Sequence, residues 1–78
     1  MEIKTAQQMV RDTMEGVGIS QKKLADKMGA KSQQLVFNML NAKNGMRTDN
    51  FVKMMNAMGY DVIVRNRVTD EETQIGVE

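Results

Sequence analysis

The chain contains no cysteine, no histidine and no proline. Without cysteine there is no disulfide and no thiol nucleophile, and without cysteine or histidine the common zinc sites cannot be built. The missing imidazole removes the side chain best suited to proton transfer near neutral pH. An enzyme made from this sequence would have to work with carboxylates, lysines and hydroxyls alone. No glycine-rich phosphate loop, metal-ligand spacing or nucleophile motif occurs. The expectation is therefore a protein that is not an enzyme, with no catalytic residue, no metal, no cofactor and no small-molecule ligand. Long apolar runs are missing too: the longest are Leu35-Val36-Phe37 and Val62-Ile63-Val64. Neither approaches the length of a membrane span or a signal peptide, and a soluble, cytoplasmic protein is expected.

What is present is short and nearly neutral. Seventy-eight residues make one domain with a thin core, so pairing with a second copy would add stability. The net charge of +1 hides an asymmetry. Asp70, Glu71, Glu72 and Glu78 fall in the last nine residues, where no Lys or Arg occurs, so residues 1–69 carry eleven bases against six acids. A basic body with an acidic tail suits a polyanionic partner.

With proline absent, glycines and capping residues punctuate the chain. Ile3, Ala6, Val10, Met14 and Val17 recur at helical spacing and predict a first helix over residues 2–15, ended by Gly16 and Gly18. Ser20 is placed to cap a short second helix whose inner face is Leu24, Ala25 and Met28, with Gly29 at its left-handed end. Ser32 is a second N-cap candidate, opening a helix over residues 33–41 that buries Val36, Met39 and Leu40. Two short helices thus meet through a tight turn that contains glycine. Thr48 is expected to cap a fourth helix with Phe51, Met54, Met55 and Met58 inward, where the methionines serve as core filler. Residues 60–68 are rich in β-branched side chains, and Tyr60, Val62 and Val64 alternate as one strand face. Such a strand needs a partner. The candidates are the same strand of a second subunit, which is preferred, or residues 73–77 returning through Asp70-Glu71-Glu72 as a hairpin.

Residues 18–64 resemble the phage repressor and Cro type of helix-turn-helix domain. The carrying residues run Ile19-Ser20-Gln21-Lys22-Lys23-Leu24-Ala25-Asp26-Lys27-Met28-Gly29, then Ala30-Lys31-Ser32-Gln33-Gln34-Leu35-Val36-Phe37-Asn38-Met39-Leu40-Asn41. Gln21, Ala25, Gly29 and Val36 fill the family's signature places, and Met-Gly-Tyr-Asp-Val-Ile-Val at residues 58–64 is a similar ending. Each signature place has a packing reason: Ala25 is small where helices cross, Gly29 takes positive φ, and Val36 fills the angle between helices. There are departures. The interval from Gly29 to Val36 is one residue longer than the family's commonest spacing, which puts an extra residue near Lys31-Ser32. Leu40-Asn41 stands where an acidic residue is often found.

The resemblance implies a mainly α, four- to five-helix domain over residues 1–69. Its helix-turn-helix would cover residues 20–41 and be followed by a C-terminal strand or hairpin, with residues 70–78 as acidic tail or return strand. It further implies a dimeric transcriptional regulator of double-stranded DNA, its two recognition helices in successive major grooves roughly 34 Å apart. Base contacts would come from Ser32, Gln33, Gln34, Phe37 and Asn38, because a glutamine amide matches adenine N6 and N7 and an apolar ring can meet a thymine methyl. Phe37 could instead turn inward to fill the core. Asn41 is expected only to cap the helix end. Phosphate contacts would come from Gln21 and Lys22 at a helix N-terminus, from Lys31 in the turn, and from Lys43, Asn44 and Arg47 in the following loop. Tyr60, Val62, Ile63 and Val64 would form the dimer strand. The alternative is a protein-interaction module on the same fold, such as an antitoxin or a phage inhibitor or adaptor, using the acidic tail on a basic partner.

Overall fold

The computed structural model describes residues 2–77, in which four helices precede a two-stranded sheet. α1 is Ala6–Val17. It starts later than apolar spacing suggests because Thr5 is its N-cap, its Oγ1 accepting from the Gln8 amide at 3.1 Å. Ile3 therefore lies outside the helix and is 93% exposed. The helix runs through Gly16 and stops at Gly18, so Val17 ends it on the solvent side. Val10 and Thr13 are its buried residues; the Thr13 hydroxyl donates to the Met9 carbonyl at 2.7 Å, which makes burial of a polar side chain tolerable.

α2 (Gln21–Met28) and α3 (Gln33–Asn41) fall where periodicity and capping signals put them. Ser20 Oγ accepts from the Lys23 amide at 3.1 Å. At the other end Gly29, at φ 70°, turns its own amide back to Asp26 O and brings the Ala30 amide to Ala25 O. A Cβ at Gly29 would meet no heavy atom within 4 Å, so the glycine is there for its backbone angle alone. α4 is Thr48–Ala57, and here Arg47 holds the N-cap position, not Thr48, which is the first helical residue.

Val10, Leu24, Ala25, Val36, Leu40, Met54, Met55 and Met58 form the buried cluster, with Met28, Met39 and Phe51 half-buried against it. Three of its eight members are methionines, Met54 and Met55 on α4 and Met58 at its C-cap, so the methionine stripe is core. Val52 is fully buried as well, a position that the 51, 54, 55, 58 spacing passes over. No described helix is long and apolar enough to cross a membrane.

The C-terminal segment pairs with itself. β1 (Val62–Arg65) and β2 (Glu72–Ile75) are antiparallel, with Val62 opposite Ile75 and Arg65 opposite Glu72. The strand is shorter than the expected 60–68. The Tyr60 amide is used at the end of α4, donating to Met55 O, and the turn begins at Asn66. Asn66 Oδ1 accepts from Val68 and Thr69 amides, and Asp70 takes φ 61°, both familiar habits of turn residues. This corrects the preference for a second subunit's strand as β1's partner: the return strand supplies it, and Asp70 and Glu71 are loop, not tail. Tyr60, Ile63 and Val64 remain about half exposed, while Val62 packs on the core.

Candidate nucleic-acid interface

α3 contains no charged residue. Val36 and Leu40 bury its inner side, and Ser32, Gln33, Gln34, Leu35, Phe37 and Asn38 are all exposed. Phe37 is 48% exposed, which settles its two possible orientations in favour of the outer face. Leu35, passed over because it lies outside the 36, 39, 40 spacing, is 40% exposed on the same helix. Gln34 Nε2 donates to Asn38 Oδ1 at 3.0 Å, one turn along, so the two amides are paired on the helix surface. Ser32 stands at the N-cap with extended backbone, φ −157° and ψ 158°, but its side chain makes no capping bond. The expected cap is thus a position without a bond.

The far end of α3 is tied down from a distance. Gln7 Nε2 donates to Met39 O at 3.0 Å and to Ala42 O at 2.9 Å. Arg11 Nη2 donates to Leu40 O and to Asn41 Oδ1, each at 2.9 Å. Asn41 Nδ2 in turn reaches Phe37 O at 2.8 Å. These bonds satisfy carbonyls that a helix C-terminus leaves open, and the guanidinium adds a positive charge where the helix dipole favours one. Asn41 is spent inside the chain, consistent with its reading as an end cap. Gln7 and Arg11 are the residues that sequence reasoning missed. Their only local signal is a four-residue spacing beside Val10, while their partners lie 29 to 35 residues away.

The positions proposed for phosphate fall on α2, on the turn that follows it and on the loop after α3. On α2, Lys22 is exposed and Gln21 half-buried. In the loop after α3, Lys43, Asn44 and Arg47 are exposed, and Lys31 is exposed in the turn. Arg47 Nε lies 3.4 Å from Asp49 Oδ1, a solvated pair that leaves its other nitrogens outward. A shallow groove of about 240 Å³ has Asn38, Gly45, Arg47 and Asn50 among its walls, so one base-reading candidate and one phosphate candidate face the same space.

Charge follows this division. Residues 20–47 hold Lys22, Lys23, Lys27, Lys31, Lys43 and Arg47 against Asp26 alone, six bases to one acid. The rest of the chain holds five bases and nine acids. Two of those five are already engaged: Arg11 on α3, and Lys4, whose Nζ is 2.6 Å from Asp12 Oδ2. That hydrogen bond raises the Lys4 pKa, and it lowers the Asp12 pKa with help from a bond donated by Gln8. The net charge of +1 is therefore the sum of a basic α2–α3 region and an acidic remainder. Among the described residues no cluster of three or more His, Cys, Asp or Glu is placed to hold a metal ion. Compared with protein-family models, curated proteins and solved structures, the chain matches none of them.

Proposed function

We propose that the protein is a sequence-specific regulator of double-stranded DNA, of the repressor and Cro type, with α2 and α3 as its helix-turn-helix. The observation that carries the reading is the separation of charge from specificity across residues 20–47. An uncharged α3 keeps amides and two apolar side chains outward, while the basic residues sit on the neighbouring helix, turn and loop. Groove docking asks for this division, since phosphate contacts position the protein and base contacts discriminate. Gln33, Gln34, Phe37 and Asn38 read bases; Lys22, Lys31, Lys43, Asn44 and Arg47 hold the backbone. The fixed C-terminus of α3 sets the angle at which its free N-terminal half enters the groove.

Two copies act together in this reading. The hairpin leaves an unpaired outer edge on each strand, and Ile63 and Val64 lie exposed beside Tyr60. Sedimentation at the mass of a single chain across the working concentration range would sink the dimer.

The test of DNA binding uses duplexes selected from a randomised pool, measured by fluorescence anisotropy at several salt concentrations. Affinity falls steeply with salt, and replacing Lys31 and Lys43 by Gln lowers the log–log slope by about one for each phosphate that is no longer neutralised. Gln33→Ala costs about 1–3 kcal/mol on the selected duplex and little on random DNA. Equal affinity for selected and random duplexes at every salt concentration would overturn the reading. A protein-interaction module is the second reading, favoured by the half-exposed Leu35 and Phe37; a failed selection together with a protein captured on α3 would establish it.

A further inference from the structure

We infer that α3 reads A·T base pairs, through the Gln34–Asn38 amide pair and through thymine methyl groups seated against Phe37 and Leu35. This rests on the DNA-binding reading above and adds the chemistry of the site that is read. What α3 offers and what it lacks both point the same way. Guanine presents two acceptors to the major groove, N7 and O6, and is best met by the parallel donors of arginine or by lysine. α3 has neither. Cytosine presents an N4 donor and is met by a carboxylate, and α3 has none. Adenine presents an acceptor beside a donor, N7 beside N6, which is the pattern complementary to a carboxamide. Gln34 gives one Nε2 hydrogen to Asn38 Oδ1, leaving its other hydrogen and Oε1 for that pattern. The same bond occupies Asn38 Oδ1 and leaves Asn38 Nδ2 as a donor, suited to thymine O4.

The apolar residues flank these amides. At about 100° per residue, Leu35 lies about 100° to one side of Gln34 and Phe37 about 60° to the other. Val36 and Leu40 point the opposite way, into the core. The outer side of α3 is therefore a stripe of amides with one apolar side chain on each flank. Leaving a Leu and a Phe 40% and 48% exposed on a small surface asks for an apolar partner, and among the four bases only thymine offers a methyl group in the major groove.

The experiment selects duplexes from a randomised pool with the full-length protein, then compares three versions of the best site. One is unchanged, one has each half-site thymine replaced by uracil, and one has the half-site A·T pairs replaced by G·C. Uracil keeps every hydrogen bond and removes only the methyl. The expected result is an A·T-rich half-site and a loss of about fourfold per contacted methyl on uracil substitution. Phe37→Ala narrows the difference between the thymine and uracil duplexes to the methyls seated on Leu35, and Gln34→Ala loses about tenfold or more on the selected site alone. Both side chains are exposed, so the variants should fold as the parent does, and thermal melts check this. A G·C-centred selected site, or equal affinity of the parent protein for thymine and uracil duplexes, overturns this inference while leaving DNA binding in place. Failure to enrich any duplex overturns both.

Discussion

α2 and α3 are neighbours of nearly equal length, eight and nine residues, and they are secured in opposite ways. α2 is closed at both ends by its own sequence. Ser20 caps one terminus and Gly29 the other, and Leu24 and Ala25 face inward between them. α3 has no side-chain bond at its N-cap, and its C-terminus is held by Gln7 and Arg11 of α1. The first helix is specified locally and the second by tertiary contact. A helix that must meet a ligand benefits from this arrangement, because its outward half stays unencumbered while its inner end is fixed to the scaffold.

Local specification is most exposed to damage at Gly29. Gly29→Ala introduces no clash, since nothing lies within 4 Å of the new Cβ, yet it forces an L side chain to φ 70°. The expected loss is about 1–2 kcal/mol, read as a lower midpoint in urea unfolding. Gly29→Asn should cost less, because Asn tolerates the left-handed region. If alanine and asparagine cost the same, the positive φ is not what the turn depends on.

Legibility divides along the same line. Ser20, the 24–25–28 face and Gly29 lie within ten residues, so cap, periodicity and stop signal all point to one helix. The limits of α3 were equally readable, as were Val36 and Leu40 in its core. What held α3 was not. A glutamine and an arginine on α1 look like solvated side chains until the fold brings the α3 carbonyls to them. The outward placement of Phe37 was undecidable for a related reason: its angle on the wheel borders the buried face, and only packing chooses. At the C-terminus alternation found the strand but not its length, because the Tyr60 amide was already committed to α4 and Asn66 begins the turn.

Arg11→Met removes the charged half of the tether, leaves the Gln7 bonds in place and keeps much of the side chain's length. Leu40 O and Asn41 Oδ1 lose their charged donor, for an expected cost of about 1 kcal/mol, limited because water can reach this partly exposed end. Lys22→Gln removes the same charge from α2 and should leave stability unchanged. In the DNA-binding reading the two variants diverge again. Arg11→Met weakens binding to the selected site more than to random DNA, since it disturbs the aim of α3, whereas Lys22→Gln weakens both alike. Identical binding profiles for the two would show that Arg11 acts only as a charge.

The two serines give the finest contrast between the helices. Ser20→Ala deletes a capping bond and should lower stability by about 1 kcal/mol. Ser32→Ala deletes none and should change it by a few tenths at most. Thermal melts of the pair decide the matter, and a large loss at Ser32 would mean that its hydroxyl caps α3 in solution after all.

The smallest effect is expected from acid, and it tests whether α1's two jobs are separable. One side of α1 holds α3 through Gln7 and Arg11; another holds the segment before it through Lys4 and Asp12. The Asp12 carboxyl is held below its ordinary value of 3.8 by the Lys4 hydrogen bond first and by Gln8 second. A depressed folded-state value means stability that is present above the ordinary aspartate range and lost as pH falls through the lowered one. Lys4 has the opposite sign, its contribution present below 10.5 and lost as pH climbs through its raised value. The pair is solvated, so the effect on global unfolding is slight. Locally, acid should release residues 2–5 from α1 while the amides of α2 and α3 keep their protection from hydrogen exchange, and Asp12→Asn should reproduce that release at neutral pH. Loss of protection in α3 along with residues 2–5 would show instead that the segment before α1 and the tether on α3 open as one unit.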